Sequence, residues 1–298
     1  MLDYASLAAL AAVVKEGSFE RAARALHVTP SAVSQRIRLL EERIGCALVV
    51  RGQPCLATET GRRLCQHVDR VRLLEHELHG EVPSLEQDGN IRVPLPIAVN
   101  ADSLATWFAP AAATFAANAL VLMDVAVDNE DHTAEWLRSG RVLAAVTGTA
   151  RPASGCNSQP LGTMRYLAAA SPAFVQRYFA KNVGASSLAL APSLVFNSKD
   201  ELQSRWVRRL CRRHVELPRH TLPSSQAFVA AALAGMGWGL HPQSLIQHHL
   251  KDGSLVELVP NAPLDVPLYW QQARAASSLL EGLTREVLAA AGASLLRR

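Results

Sequence analysis

The sequence is short of the residues from which most catalytic and metal centres are built. Its five cysteines, Cys46, Cys55, Cys65, Cys156 and Cys211, form no CxxC pair, so neither a disulfide framework nor a zinc site is signalled. The ten histidines are scattered. His67, His76 and His79 fall on one predicted helix, where a solvated face explains them better than a metal site. No GxSxG, no HExxH and no GxxxxGK followed by Ser or Thr occurs, and no acid–base pair stands out. No apolar run approaches the ~20 residues of a membrane helix. The early stretch LAALAAVV (Leu7 to Val14) has no basic lead and runs into Lys15 and Glu16, while Leu7, Leu10, Ala11 and Val14 keep helical spacing. These absences predict a cytoplasmic protein with no membrane segment and no cofactor or metal.

What is present describes a globular chain. At 298 residues, 49% apolar and 19% charged, it is long enough for two or three domains with real cores. The net charge is +4, and residues 1–63 hold nine Lys/Arg against six Asp/Glu, which places most of the excess in the head. That bias permits nucleic-acid binding without demanding it.

The stretch TPSAVSQRIRLLEERIG (Thr29 to Gly45) reads as a helix with two faces. Val33, Ile37, Leu40 and Ile44 share one stripe, predicted to be buried, and Ser31, Ser34, Gln35, Arg38 and Glu42 lie opposite. Thr29 suits the cap and Pro30 the first helical position. Before it, a helix from about Tyr4 to Lys15 ends at Gly17, and Ser18 starts a second, FERAARALH, with small apolar residues. Two helices joined by a tight turn, the second with a hydroxyl, amide and guanidinium face, form the arrangement that enters a DNA major groove. Ser31 and Ser34 can donate or accept, Gln35 can pair with adenine, and Arg36 and Arg38 can reach guanine or phosphate. The following CALVVRGQPCLATETG reads as two short strands about Gly52 to Pro54, a wing, with Arg51 placed for the backbone or minor groove. Thr58 caps a further helix running to about Val82. Its Leu64, Val68, Val71, Leu78 and Val82 form a seam for a partner helix or for the chain's own domain.

Past a hinge in VPSLEQDGN, the chain alternates short apolar runs with helical stretches, an α/β rhythm. Strands are expected at Val93 to Val99, Leu120 to Val127 and Val142 to Val146. Others fall near Leu167, Leu194, Thr221, Gly239 and Leu255, then at Leu268 to Gln272, before a closing helix from Ser277 to Leu296. Ligands of open α/β sheets sit where strands pass into helices. Two junctions fit: VNADSL, with Asn100, Asp102 and Ser103, and TLPSSQAF, with Ser224 and Ser225. Plain helix capping is the competing explanation of each. Asp128 and Glu130 can receive an ammonium or guanidinium group, or belong to a solvated acidic loop. Trp107, Trp136, Trp238, Trp270 and Phe196 are candidates to line a cleft, although tryptophan is more often core. GMGWG (Gly235 to Gly239) follows a helix and enters a strand, the reverse of a phosphate loop, and reads as a turn.

The pattern GSFERAARALHVTPSAVSQRIRLLEERIGCALVVRGQPCLATETG resembles the winged helix-turn-helix of the LysR-type transcriptional regulators. VNADSLATWFAP, GTMRYLAAASP, AALAGMGWGLHP and LYWQQAR further resemble the ArgP/LysG branch, regulators of basic amino-acid export. The resemblance implies a multidomain protein: an all-α winged helix-turn-helix head (1–63), a dimerising linker helix and hinge (64–89), and a two-lobed α/β effector domain like a periplasmic binding protein. Lobe I would be 90–163 completed by 268–298 and lobe II 164–267, with crossings near Gly162 to Arg165 and Pro263 to Pro267. It implies double-stranded promoter DNA read through Thr29, Pro30, Ser31, Ser34, Gln35, Arg36, Arg38 and Arg51. It also implies a small-molecule effector, RNA polymerase as a partner, a homodimer or homotetramer, and an exporter gene as target. Lysine or arginine is the favoured effector. Asn129 and Gln226 stand where this branch leads one to expect acid, which weakens the case for a cation and keeps a non-basic carboxylate as the alternative. A solute-binding protein and an α/β enzyme rank lower, since neither explains the head.

Overall fold

A computed structural model of the chain describes residues 3–81, 93–119, 121–128 and 133–297. The chain divides into two compact units, residues 1–93 and 94–298.

The first unit holds α1 (Tyr4–Glu16), α2 (Phe19–Ala25), α3 (Pro30–Ile44), strands β1 (Val49–Val50) and β2 (Leu56–Ala57), and α4 (Glu59–Glu81). Each helix start has a local cause. The Asp3 carboxylate accepts from the Ala5 and Ser6 amides, and Thr29 accepts from Ala32 with Pro30 in the first turn. Gly45, at φ 82°, ends α3. Leu7, Leu10, Val13, Ala22, Ala23, Val33, Ile37, Leu40, Leu48 and Val68 close one core. Burying each large aliphatic side chain there contributes roughly 1.5–3 kcal/mol. Ile44 departs from the expected stripe: at the last residue of α3 it is 36% exposed. The seam of α4 also divides. Val68 is buried in the head core with Leu64 against it, whereas Leu74 and Leu78 are 55% and 47% exposed. Val82 lies outside the described residues.

β1 and β2 pair antiparallel, and α3 itself holds them. The Glu41 carboxylate accepts from the Leu48 amide at 2.7 Å and the Val49 amide at 3.3 Å, and the Thr58 hydroxyl donates to the Ala47 carbonyl. The start of α4 packs so closely on this segment that a Cβ at Gly61 would stand 2.0 Å from the Leu48 carbonyl oxygen. Only glycine fits there.

The second unit runs β3 (Val93–Asn100), α5 (Ala101–Ser103), a π-helical turn (Leu104–Phe108), α6 (Ala109–Asn118), β4 (Val121–Asp128), α7 (Thr133–Arg138), β5 (Ala144–Thr147) and β6 (Cys156–Ala170). Then come α8 (Pro172–Phe179), α9 (Ala185–Leu188), β7 (Ser193–Val195), α10 (Leu202–Cys211), β8 (Arg219–Thr221), α11 (Ser225–Leu233), β9 (Gly239–Pro242), α12 (Gln243–Lys251), β10 (Val256–Glu257), β11 (Leu264–Ala273) and α13 (Glu281–Ser294). A seven-stranded sheet has the order β10-β6-β11-β5-β3-β4, with β9 on the other edge of β6. β3 and β5 are parallel, while β7 and β8 form a separate parallel pair.

The first expected crossing, Gly162 to Arg165, lies within β6, and the second, Pro263 to Pro267, runs from the residue before β11 into that strand. β6 and β11 pair antiparallel from Leu264↔Tyr166 to Ala273↔Cys156, with a bulge between Leu268 and Tyr269. The last strand therefore begins at Leu264 rather than Leu268, because residues 264–267 find partners on β6. Opposite Leu268 stands Gly162 at φ 129°, where a Cβ would meet the Leu296 carbonyl oxygen at 2.9 Å. The closing helix is shorter than expected, 281–294, preceded by a 3-10 turn at Arg274–Ala276.

Candidate functional site

Two places gather polar side chains. On the head, Ser31, Gln35 and Arg38 are exposed along α3, and Ser34 and Arg36 are half-buried. Arg38 pairs with Glu42 at 2.9 Å, both largely exposed, so the pair is weak and exchangeable. Arg36 lies near Asp3, whose carboxyl is held below its ordinary value chiefly by the Ser6 hydroxyl, with the Arg36 charge a smaller cause. Thr29 and Pro30 are exposed, but the Thr29 hydroxyl is engaged as the helix cap. Arg51 extends from the β1–β2 connection with its guanidinium 5.6 Å from the Phe19 ring centroid.

Ser34 and Arg51 line a groove of about 800 Å³ with Ser18, Phe19, Arg21 and Arg24. The two α2 arginines were absent from the sequence-based set. Their spacing of three on the side of α2 away from Ala22 and Ala23 was the available signal. The groove is open, and its lining mixes hydroxyl, aromatic and guanidinium groups.

The second place is a cleft in the second unit, with about 30 Å³ of free volume. Asn100, Asp102, Asp128, Phe196, Asp200, Gln203 and Ser225 are among the residues lining it. The end of β3 and the start of α5 supply Asn100 and Asp102, the end of β4 supplies Asp128, and α10 and α11 supply Gln203 and Ser225. Asp102 bridges elements far apart in the chain: it accepts from the Ser225 hydroxyl at 2.6 Å and from the Tyr166 hydroxyl at 2.8 Å. Burial raises its carboxyl above the ordinary range against those two donors. Asp200, 4% exposed, accepts from the Phe196 and Leu202 amides, and burial raises its carboxyl as well. Asp128 accepts from the Trp136 indole at 3.1 Å. Asn100 and Gln203, each 1% exposed, have no hydrogen-bond partner for either amide atom. Among the described residues no Lys or Arg lines the cleft.

The sequence-based set is thus partly brought together. Asn100, Asp102, Asp128 and Ser225 meet at the cleft. Ser103 is buried with an unpartnered hydroxyl but does not line it. Ser224 caps α11, accepting from the Ala227 amide at 3.2 Å, so the capping explanation applies to it. Glu130 and Asn129 lie outside the described residues. Gln226 is exposed and does not line the cleft, so its lack of charge says little about the ligand. Of the aromatic candidates only Phe196 lines the cleft. Trp107, Trp238 and Trp270 are core, and Trp136 instead orients Asp128. Asp200 and Gln203 were missed, because only the fold carries the start of α10 to the end of β3.

Comparison with known proteins agrees with this layout. Residues 4–62 match the family described as "Bacterial regulatory helix-turn-helix protein, lysR family", and residues 89–292 match "LysR substrate binding domain". The HTH-type transcriptional regulator ArgP of Pseudomonas aeruginosa is 47% identical over 299 residues, covering 100% of this chain and 98% of that one. Among solved structures, ArgP from Mycobacterium tuberculosis superposes with a TM-score of 0.83 at 45% identity and full coverage of both chains. Full-length LysG from Corynebacterium glutamicum with bound effector Arg gives 0.71 at 38% identity, covering 99% of this chain and 100% of that one. The chain belongs to the LysR family: it is a DNA-binding transcriptional regulator with an N-terminal helix-turn-helix and a C-terminal substrate-binding domain, and not an enzyme.

Proposed function

From that membership we propose that the protein is a transcriptional regulator whose effector is a basic amino acid, arginine or lysine, held in the cleft. One observation carries the ligand class: Asp102, Asp128 and Asp200 line a cleft that, among the described residues, no Lys or Arg lines. A bound guanidinium or ammonium group would compensate the Asp102 and Asp200 carboxylates, which burial disfavours. Asn100 and Gln203 offer unsatisfied donors and acceptors to the α-carboxylate and α-ammonium groups. The LysG structure that carries Arg supports the same reading. At about 30 Å³ the space is far below the roughly 300–1,000 Å³ of small-molecule sites, so its walls part to admit the ligand.

The head reads promoter DNA with Ser31, Ser34, Gln35, Arg36 and Arg38 of α3 in the major groove. Thr29 and Pro30 start the helix at the phosphates, and the β1–β2 hairpin acts as a wing that carries Arg51. Exposed Leu74 and Leu78 support a homodimer closed by α4, with pairing of dimers into a tetramer. A ligand with unequal affinity for two arrangements of the lobes would shift their populations, and with them polymerase recruitment, at an amino-acid exporter promoter. Among the described residues no helix is long and apolar enough to cross a membrane, and a cytoplasmic location fits a DNA-binding role. Calorimetry of the full chain against the twenty amino acids tests the ligand class. Binding confined to arginine and lysine is expected, and binding only of a neutral or acidic carboxylate would overturn the reading.

A further inference from the structure

The second unit has two cores, one towards each end of the paired strands β6 and β11. One, with Ala98, Leu137, Val142 and Ala145, lies beside β5, which pairs with residues 269–272 of β11. The other, with Leu167, Leu194, Phe228 and Ala232, lies beside β9, which pairs with residues 166–169 of β6. Asp102 follows β3, a strand of the first core, but its side chain is held from the second. Ser225, the first residue of α11, donates to Oδ1 at 2.6 Å, and Tyr166 of β6 donates to Oδ2 at 2.8 Å. Capping does not require the Ser225 hydroxyl, because Ser224 already caps α11. Burial is the main reason the Asp102 carboxyl is raised, and the charge of Asp200 pushes it the same way. The two hydroxyls therefore draw together elements that carry mutually repelling carboxylates.

The bland explanation is static support: the hydroxyls aim the carboxylate at an incoming ligand. Geometry argues against it. Each Asp102 oxygen already accepts a short hydrogen bond, and the free space beside it, about 30 Å³, is far below that of a small-molecule site. A guanidinium group reaches this carboxylate only once the hydroxyls let go. The exchange is favourable, because a charged donor binds a carboxylate more strongly than a neutral hydroxyl does.

We propose that Ser225 and Tyr166 form a latch that competes with the ligand for Asp102 and so sets the arginine concentration to which the cleft responds. The proposal rests on the reading that the cleft takes a basic amino acid. Apparent affinity is then the intrinsic affinity reduced by the fraction of molecules with the latch open. The test is calorimetry of arginine with full-length Ser225→Ala, Tyr166→Phe and the double variant, at a mildly alkaline pH that keeps the carboxylates ionised. Each single variant should bind arginine about 3- to 10-fold more tightly than wild type and associate faster. Hydrogen exchange without added arginine should also quicken at the amides of residues 101–104 and 225–228. Weaker or unchanged binding overturns the proposal, since the hydroxyls would then be supports. So does unchanged exchange. Equal tightening by Ser224→Ala overturns it too, because loss of the α11 cap alone would then suffice. The ligand class is judged separately: if wild type binds neither arginine nor lysine while exchange quickens in the variants, the latch stands and the basic amino-acid reading falls.

Discussion

In the head, the polar groups that α3 presents are on the outside, and the local donors and acceptors that set its shape are satisfied by Thr29, Glu41 and Thr58. In the cleft, the polar groups are inside, and Asn100 and Gln203 are left without partners. The groove of the first offers about 800 Å³ and the second about 30 Å³. The head is finished before its partner arrives and needs only a rigid scaffold. The cleft is unfinished, and its buried amides and carboxylates are a cost that a ligand of matching polarity removes.

That contrast can be broken in order of expected effect. The rigid scaffold fails first if Gly61 gains a side chain: Gly61→Ala forces a Cβ against the Leu48 carbonyl and should destabilise the head by about 3 kcal/mol. Thermal melting should show it, while arginine binding to the second unit persists. Loss of both functions together would mean that the units are not independent. Next comes acid. His241, 1% exposed beside Phe228, is buried neutral, and burial lowers its pKa from 6.5 to about 4. The unfolded chain takes up that proton at higher pH than the folded one. Stability is therefore complete above about pH 6.5 and falls by about 3 kcal/mol as the pH drops to about 4. Denaturant titrations across this window should show the slope, and His241→Leu should flatten it.

A third measurement sharpens the cleft. Asp102→Asn removes one carboxylate and should weaken arginine binding by about 10- to 100-fold in calorimetry, with ligand-free DNA affinity unchanged. Because burial raises the carboxyls of Asp102 and Asp200, arginine affinity in the wild type should fall as pH descends into their elevated range. The smallest effect is expected on the head, where contacts are many and exposed. Arg51→Ala should raise the Kd for DNA by about 5- to 10-fold and lower the salt slope by about one unit.

The head was largely legible in the sequence because its determinants are local. Caps, a proline, a terminal glycine and a 3.6-residue period set α3 from Pro30 to Ile44 without reference to distant chain. Ile44 escaped because it sits at the very end, where the helix outruns its core. The cleft was legible only by halves. Asn100 and Asp102 mark themselves at a strand-to-helix junction, but Asp200 and Gln203 join them only through long-range packing. Gln226, one residue past Ser225, turns out to solvent because helix direction, not proximity in sequence, decides which side chain faces inward.

The paired strands β6 and β11 carry a mechanical consequence. Over residues 162–165 and 265–268 the sheet narrows to these two strands, and such a ribbon resists stretching along its length but yields to torsion, its softest spot being the bulge between Leu268 and Tyr269 opposite Gly162. Occupancy of the cleft should therefore be expressed as a twist about that ribbon rather than as a wide opening of a jaw. Stiffening Gly162 should mute the response to the ligand more than it weakens the ligand's grip.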